Sequence, residues 1–195
     1  MKGFSFKSYL TSNLTISEEE VATLLHQCTI KEFNKGDFLV RENEFCKQVY
    51  FVEEGLLRQF FMDESGKEHI LQFAPENWFA ADRESFYFNQ PSKYFIQALE
   101  PTKVAIMDDV YIKNLEATMH GFLDFNNRLL HNHIRALQNR IVSLLSETAE
   151  KRYLNFIQLY PDVMLRVPLT MIASYLGITP ESLSRVRKDL ANKPH

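Results

Sequence analysis

VPLTMIASYLGITPESLSRVRKDL, residues 167–190, contains two short helical patterns joined across a glycine. The apolar set Ile172, Ala173, Leu176, Ile178, Leu183, Val186 and Leu190 can lock two helices together at a steep angle. Ala173 is small enough for close approach, and Gly177 can take the positive φ that a tight turn demands. Thr179 suits the cap of the second helix, and Pro180 suits its first position, where the N–H has no partner anyway. The outward positions are then Glu181, Ser182, Ser184, Arg185, Lys188 and Asp189. Short polar groups at a helix start suit base edges, and cations further along suit phosphates. The pattern is that of a helix-turn-helix. A polar amphipathic hairpin with no nucleic-acid role would show similar spacing.

Upstream of it, Leu123, Asn127, Leu130, Ile134, Leu137, Ile141 and Leu144 repeat at spacings of 4, 3, 4, 3, 4 and 3. Such a narrow heptad seam suits a long helix, beginning near Met119, paired in parallel with its own copy. Asn127 would be a polar core position that fixes register. The other reading packs this face on the rest of the chain. Phe122, Phe125 and Leu129 widen the stripe at its start, so that end is expected against the preceding domain. Residues 147–158 are expected to continue helical.

From Ile30 to Asp108 the pattern changes to β-branched and aromatic runs of strand length: Val49–Val52, Leu56–Met62, His69–Phe73, Tyr94–Leu99 and Val104–Met107. The turn signals Asn34-Lys-Gly36, Glu53-Glu-Gly55, Asp63-Glu-Ser-Gly66 and Glu100-Pro101 separate them. Many short strands without crossover helices predict an antiparallel roll. Ahead of it, Ser17 and Glu20 form a capping box for a short N-terminal helix within residues 14–27.

The chain of 195 residues carries a net charge of −3, unevenly placed. Residues 1–146 hold 15 Lys and Arg against 20 Asp and Glu, and residues 147–195 hold seven against five. The basic end coincides with the helical hairpin, as phosphate binding requires. No stretch approaches the roughly 20 apolar residues that span a bilayer, and MKGFSFKSYLTSN lacks a signal-peptide core, which points to the cytoplasm. Cys28 and Cys46, with no CxxC, cannot supply a four-thiolate cluster or structural zinc site, and read as buried thiols. His131 and His133, two apart on a helix, cannot share a metal. His69 has no His-x-His partner, and no Gly-x-Ser-x-Gly, His-Glu-x-x-His or phosphate-cradling glycine loop occurs. No catalytic residue, metal or cofactor is expected.

The order of helix, roll, long helix and C-terminal helix-turn-helix resembles the cAMP receptor protein/fumarate–nitrate regulator family of bacterial transcription factors. The resemblance covers nearly the whole chain. Asn34-Lys-Gly36-Asp37 resembles the family's first roll turn, Tyr50–Gly55 its hydrophobic strand ending in glycine, and Asp63–Glu68 its acidic hairpin. Thr179–Leu190 is similar to the family's recognition helix, which implies base or phosphate contacts for Thr179, Glu181, Ser182, Ser184, Arg185 and Lys188.

The departures are informative. Ser92-Lys93-Tyr94 stands where cyclic-nucleotide-binding members carry Arg-Ser/Thr-Ala, and Ala81 or Asp82 replaces the ribose-holding Glu. A cyclic phosphate without its bidentate cation loses a charge-assisted pair of roughly 1.5–3 kcal/mol. Leu137 and Gln138, where the long helix would meet the purine, lack the family's paired hydroxyls. The region is instead aromatic and suits a packed core. The other reading is a pocket for a small hydrophobic or weakly acidic effector, lined by Trp78, Phe79 and Tyr94 with Arg83 or Lys93 as its cation. Pro180 replaces the family's Arg near the recognition-helix start, and only Ala191–His195 stands where the family has a two-stranded wing.

The expectation is an α+β chain: an antiparallel β-roll sensor (1–118), a dimerisation helix (119–146) and a helix-turn-helix (147–195). It implies a homodimer on double-stranded DNA, with RNA polymerase and a small-molecule effector as further candidate partners, and no membrane. The rival expectation is a ligand- or partner-binding module whose hairpin no longer grips DNA.

Overall fold

The structure, a computed structural model, describes residues 5–192. Two helices, α1 (Phe6–Asn13) and α2 (Glu18–Gln27), precede the strands β1 (Thr29–Phe33), β2 (Phe38–Val40), β3 (Gln48–Glu54), β4 (Leu57–Met62), β5 (Glu68–Ala74) and β6 (Phe79–Ala80). A short helix, α3 (Arg83–Phe88), leads into β7 (Phe95–Ala98) and β8 (Thr102–Asp108). Six helices follow: α4 (Asp109–Thr118), α5 (Phe122–Ser146), α6 (Ala149–Leu159), α7 (Val163–Arg166), α8 (Leu169–Leu176) and α9 (Pro180–Ala191).

The strands form two four-stranded sheets, ordered β1-β8-β3-β6 and β2-β7-β4-β5, antiparallel throughout the described residues. This is the expected roll. Its central strands are buried on both faces, which is why β3 and β8 read as unbroken apolar runs. Tyr50, Val52, Val104 and Ile106 fill the space between the sheets with Leu57 and Ile96, whereas Phe51, Ala105 and Met107 face helices α1, α4 and α5. Leu56, Phe60, Ile70 and Phe73 face the other way, onto the C-terminal helices. The β3–β4 turn needs glycine: Gly55 sits at φ +92°, and a Cβ there would lie 2.5 Å from the carbonyl oxygen of Pro101.

The helical termini follow local chemistry. Ser17 and Glu20 form the capping box of α2, and Asp108 caps α4 by accepting from the Tyr111 N–H. Three details differ from expectation. The Phe6–Asn13 segment is a helix of its own, capped by Ser5, because Phe6 and Leu10 find buried seats against Phe51. The long helix begins at Phe122 rather than Met119, because Gly121 at φ +83° breaks the path from α4. Helix does not run on through residue 147: Glu147 is extended (ψ +149°), and Thr148 caps α6 afresh. Both cysteines are free thiols; Cys46 is buried and Cys28 is half-buried, with burial pushing the Cys28 thiol up to about 11. No described helix is long and apolar enough to cross a membrane.

Candidate nucleic-acid interface

Helices α8 and α9 form the hairpin that the sequence spells. Ile172, Ala173, Leu176 and Leu183 are fully buried between them and α6, with Ile178, Val186 and Leu190 closing the edges. Gly177 ends α8 at φ +66°, and the Ile178 N–H reaches back to the Ala173 carbonyl at 3.0 Å. The freed Leu176 carbonyl accepts from the Arg152 guanidinium at 2.6 Å. Thr179 caps α9, its hydroxyl accepting from the Ser182 N–H at 3.2 Å, with Pro180 in the first turn.

The outward face of α9 divides into two groups. At its start, Thr179 also donates to the Ser182 hydroxyl, and Glu181 is held below the usual carboxylate range, first by its own backbone N–H and then by Thr179. One turn further on, Ser184, Arg185 and Lys188 are exposed, and their side chains have no hydrogen-bond or ion-pair partner among the described residues. Arg187 is exposed too. Two cations and a hydroxyl on a rigid, capped helix form a surface suited to a polyanion. Of the family's wing region, Lys193–His195 lie outside the described residues.

The heptad stripe of α5 is bare in the single subunit. Leu123, Leu130, Ile134, Leu137, Ile141 and Leu144 are between 38 and 56% exposed, and Asn127 is exposed as well. Phe122 and Phe125 turn inward against the roll, Phe125 standing 6.1 Å from Tyr9. The last seam residue has a second neighbour: a Cβ at Gly177 would meet the Leu144 side chain at 3.2 Å.

The five residues read as an effector pocket do not converge. Trp78 lies 5.2 Å from Tyr160 on the hairpin side, while Phe79 lies 5.1 Å from Phe51 on the α1 side. The Lys93 ammonium is held at the surface by Glu84, 3.0 Å away, and Tyr94 donates its N–H to Ser92. Arg83 stands near α5, where burial and then the Arg83 charge push the His133 imidazole below its ordinary range. Ser92, in the stretch compared with the phosphate-holding one, donates its hydroxyl at 2.7 Å to Asp82, which is 2% exposed and also accepts from the Ser85 N–H at 3.1 Å. The residues present do not fit a cyclic phosphate.

Sequence reasoning missed the residues that join hairpin and roll. Arg166, on α7, pairs with Glu76 and Glu100. Ser174 meets the backbone of β5, and Arg140 bridges β5 and α8. No local signal marks them, because their partners lie between 35 and 106 positions away.

A family model described as "Cyclic nucleotide-binding domain" matches residues 30–118. The chain is 27% identical over 192 residues to the regulatory protein HlyX of Actinobacillus pleuropneumoniae, covering 92% of this chain and 79% of that protein. It is 26% identical over 193 residues to the fumarate and nitrate reduction regulatory protein of Yersinia pestis, covering 92% of this chain and 76% of the relative. The fold is similar to that of FixK2 from Bradyrhizobium japonicum, with a TM-score of 0.72, 19% identity and 84% of each chain covered.

Proposed function

We propose that this chain, a member of the cAMP receptor protein/fumarate–nitrate regulator family of bacterial transcription regulators, reads double-stranded DNA as a cytoplasmic homodimer. The observation that carries the reading is the unpartnered face of α9, where Arg185, Lys188 and Ser184 project from a fully capped helix. Thr179, Glu181 and Ser182 sit at the end that approaches base edges, Glu181 and Ser182 as acceptors and Arg185 as the bidentate donor. Lys188 contacts phosphate as a point charge. The α5 stripe, from Leu123 through Asn127, Leu130, Ile134, Leu137 and Ile141 to Leu144, joins the two copies in parallel. That sets two α9 helices about one duplex turn apart, roughly 34 Å. The chain then divides by role into sensor (1–118), dimerisation helix (119–146) and reader (147–195).

The roll does not respond to cAMP in this reading, since the Ser92 hydroxyl is bound to the buried Asp82 and Lys93 is bound to Glu84. A small effector bound elsewhere on the roll, or contact with RNA polymerase, would act by biasing the reader's position.

A mobility-shift titration on duplexes selected from random sequence tests the reading at several salt concentrations. Retarded complexes whose affinity falls steeply with salt support it. Absence of any shift would make the chain a ligand- or partner-binding module with an idle hairpin.

A further inference from the structure

We propose that Ser174 and Arg140 fix the angle at which each reader hangs from the stalk, and thereby the half-site spacing that the dimer accepts. The inference rests on the DNA-reading function above.

β5 is the outermost strand of its sheet, so one side of it has no neighbouring strand. Its outward backbone groups are served by side chains instead. The Ser174 hydroxyl accepts from the Ile70 N–H at 3.0 Å and donates to the Glu68 carbonyl at 2.9 Å. One hydroxyl of the reader thus supplies the donor and the acceptor that a further strand would have offered. Arg140, on the stalk helix α5, donates to the Ile70 carbonyl at 3.1 Å and the Tyr175 carbonyl at 2.9 Å, with its guanidinium 3.7 Å over the Tyr175 ring. Sensor, stalk and reader therefore meet at one point, through two side chains.

Apolar packing alone does not fix an angle. Ile70 and Phe73 bury against Phe156 and Tyr175, and such contact is non-directional. Hydrogen bonds weaken steeply with misalignment, so the Ser174 and Arg140 contacts, together with the Arg166 pairs to Glu76 and Glu100, select one orientation from those that apolar packing allows. The chain link is short and extended: only Glu147 and Thr148 separate α5 from α6. A reader rotated about that link carries α9 with it, and the distance between two α9 helices changes.

The test uses the full-length dimer and duplexes bearing two selected half-sites, at the preferred spacing and with one base pair added or removed. Ser174→Ala keeps a good helix former in α8, and Arg140→Lys keeps the charge while losing the planar fork. Each variant is expected to lose roughly fivefold of the discrimination between spacings, the worth of about one net hydrogen bond. Affinity for a single half-site should stay unchanged, and amide exchange at Ile70 should quicken in Ser174→Ala. Wild-type spacing discrimination in the double variant overturns this role and leaves DNA reading intact. A wild-type protein that binds no duplex overturns DNA reading, and the spacing role with it.

Discussion

The guanidinium of Arg166 grips both carboxylate oxygens of Glu76, at 2.9 and 3.0 Å, and so ties the C-terminal helices to the β5–β6 connection 90 positions earlier. Glu100 joins the same guanidinium from the turn before β8, and Glu76 also accepts from the Gly55 N–H at 3.0 Å. Two carboxylates share one cation, and that cation is mostly shielded from water.

Arg166→Gln should destabilise the chain by about 2 kcal/mol in urea denaturation at neutral pH. That is below the range for a fully buried pair, because both carboxylates keep some solvent access. Burial raises the Glu76 carboxyl, but the hydrogen bonds and charge of Arg166 and the Gly55 N–H outweigh it, leaving its pKa below the ordinary 4.5. A depressed carboxyl contributes stability that is complete above the unfolded value and lost as pH falls through the folded one. Wild-type stability should therefore drop on acidification below pH 4.5, and the drop should be shallower in Arg166→Gln.

Gly177→Ala places a Cβ at φ +66°, 3.2 Å from Leu144 and 3.4 Å from Arg152. The left-handed backbone alone costs about 1–2 kcal/mol for a residue with a Cβ. A lowered thermal midpoint is expected.

Ile134→Asp tests the stripe of α5. Its side chain is 42% exposed in the subunit, so the fold should persist by circular dichroism. Sedimentation should show a monomer, and operator affinity should collapse with the loss of avidity. A dimer that survives this change would place the subunit contact elsewhere.

Arg185→Ala should cost about 1–3 kcal/mol on the selected site and relax preference at one base position. Lys188→Ala should weaken all duplexes alike and reduce the salt slope by about one. An unchanged footprint for Arg185→Ala would remove it from the base-reading set.

The parts legible in the sequence are those written by neighbours along the chain. Ser17 and Glu20 announce α2 three residues apart, and Gly177, Thr179 and Pro180 announce the hairpin turn within four. β1 was missed because Thr-Ile-Lys-Glu-Phe lies mostly exposed and shows no apolar alternation, and β6 because it is two residues long. In α3, the run Phe86-Tyr-Phe88 carries the composition of a strand, but Asp82 caps a helical turn there and Asn89 ends it in the left-handed region. The aromatic cluster around Trp78 and Phe79 was legible as apolar but not as divided: Trp78 ends the β5–β6 turn and packs toward Tyr160, while Phe79 opens β6 and packs toward Phe51. The Arg166, Arg140 and Ser174 contacts are products of the tertiary fold, invisible to any window along the chain.

Because a helix of the reader finishes the rim of the sensor's sheet, the roll is not self-sufficient. A protein cut after Ser146 would bare the N–H of Ile70 and the carbonyl of Glu68 along a strand that carries Ile70 and Phe73. Such a rim templates pairing with the rim of another molecule, so the severed sensor should clump where the intact chain stays dispersed.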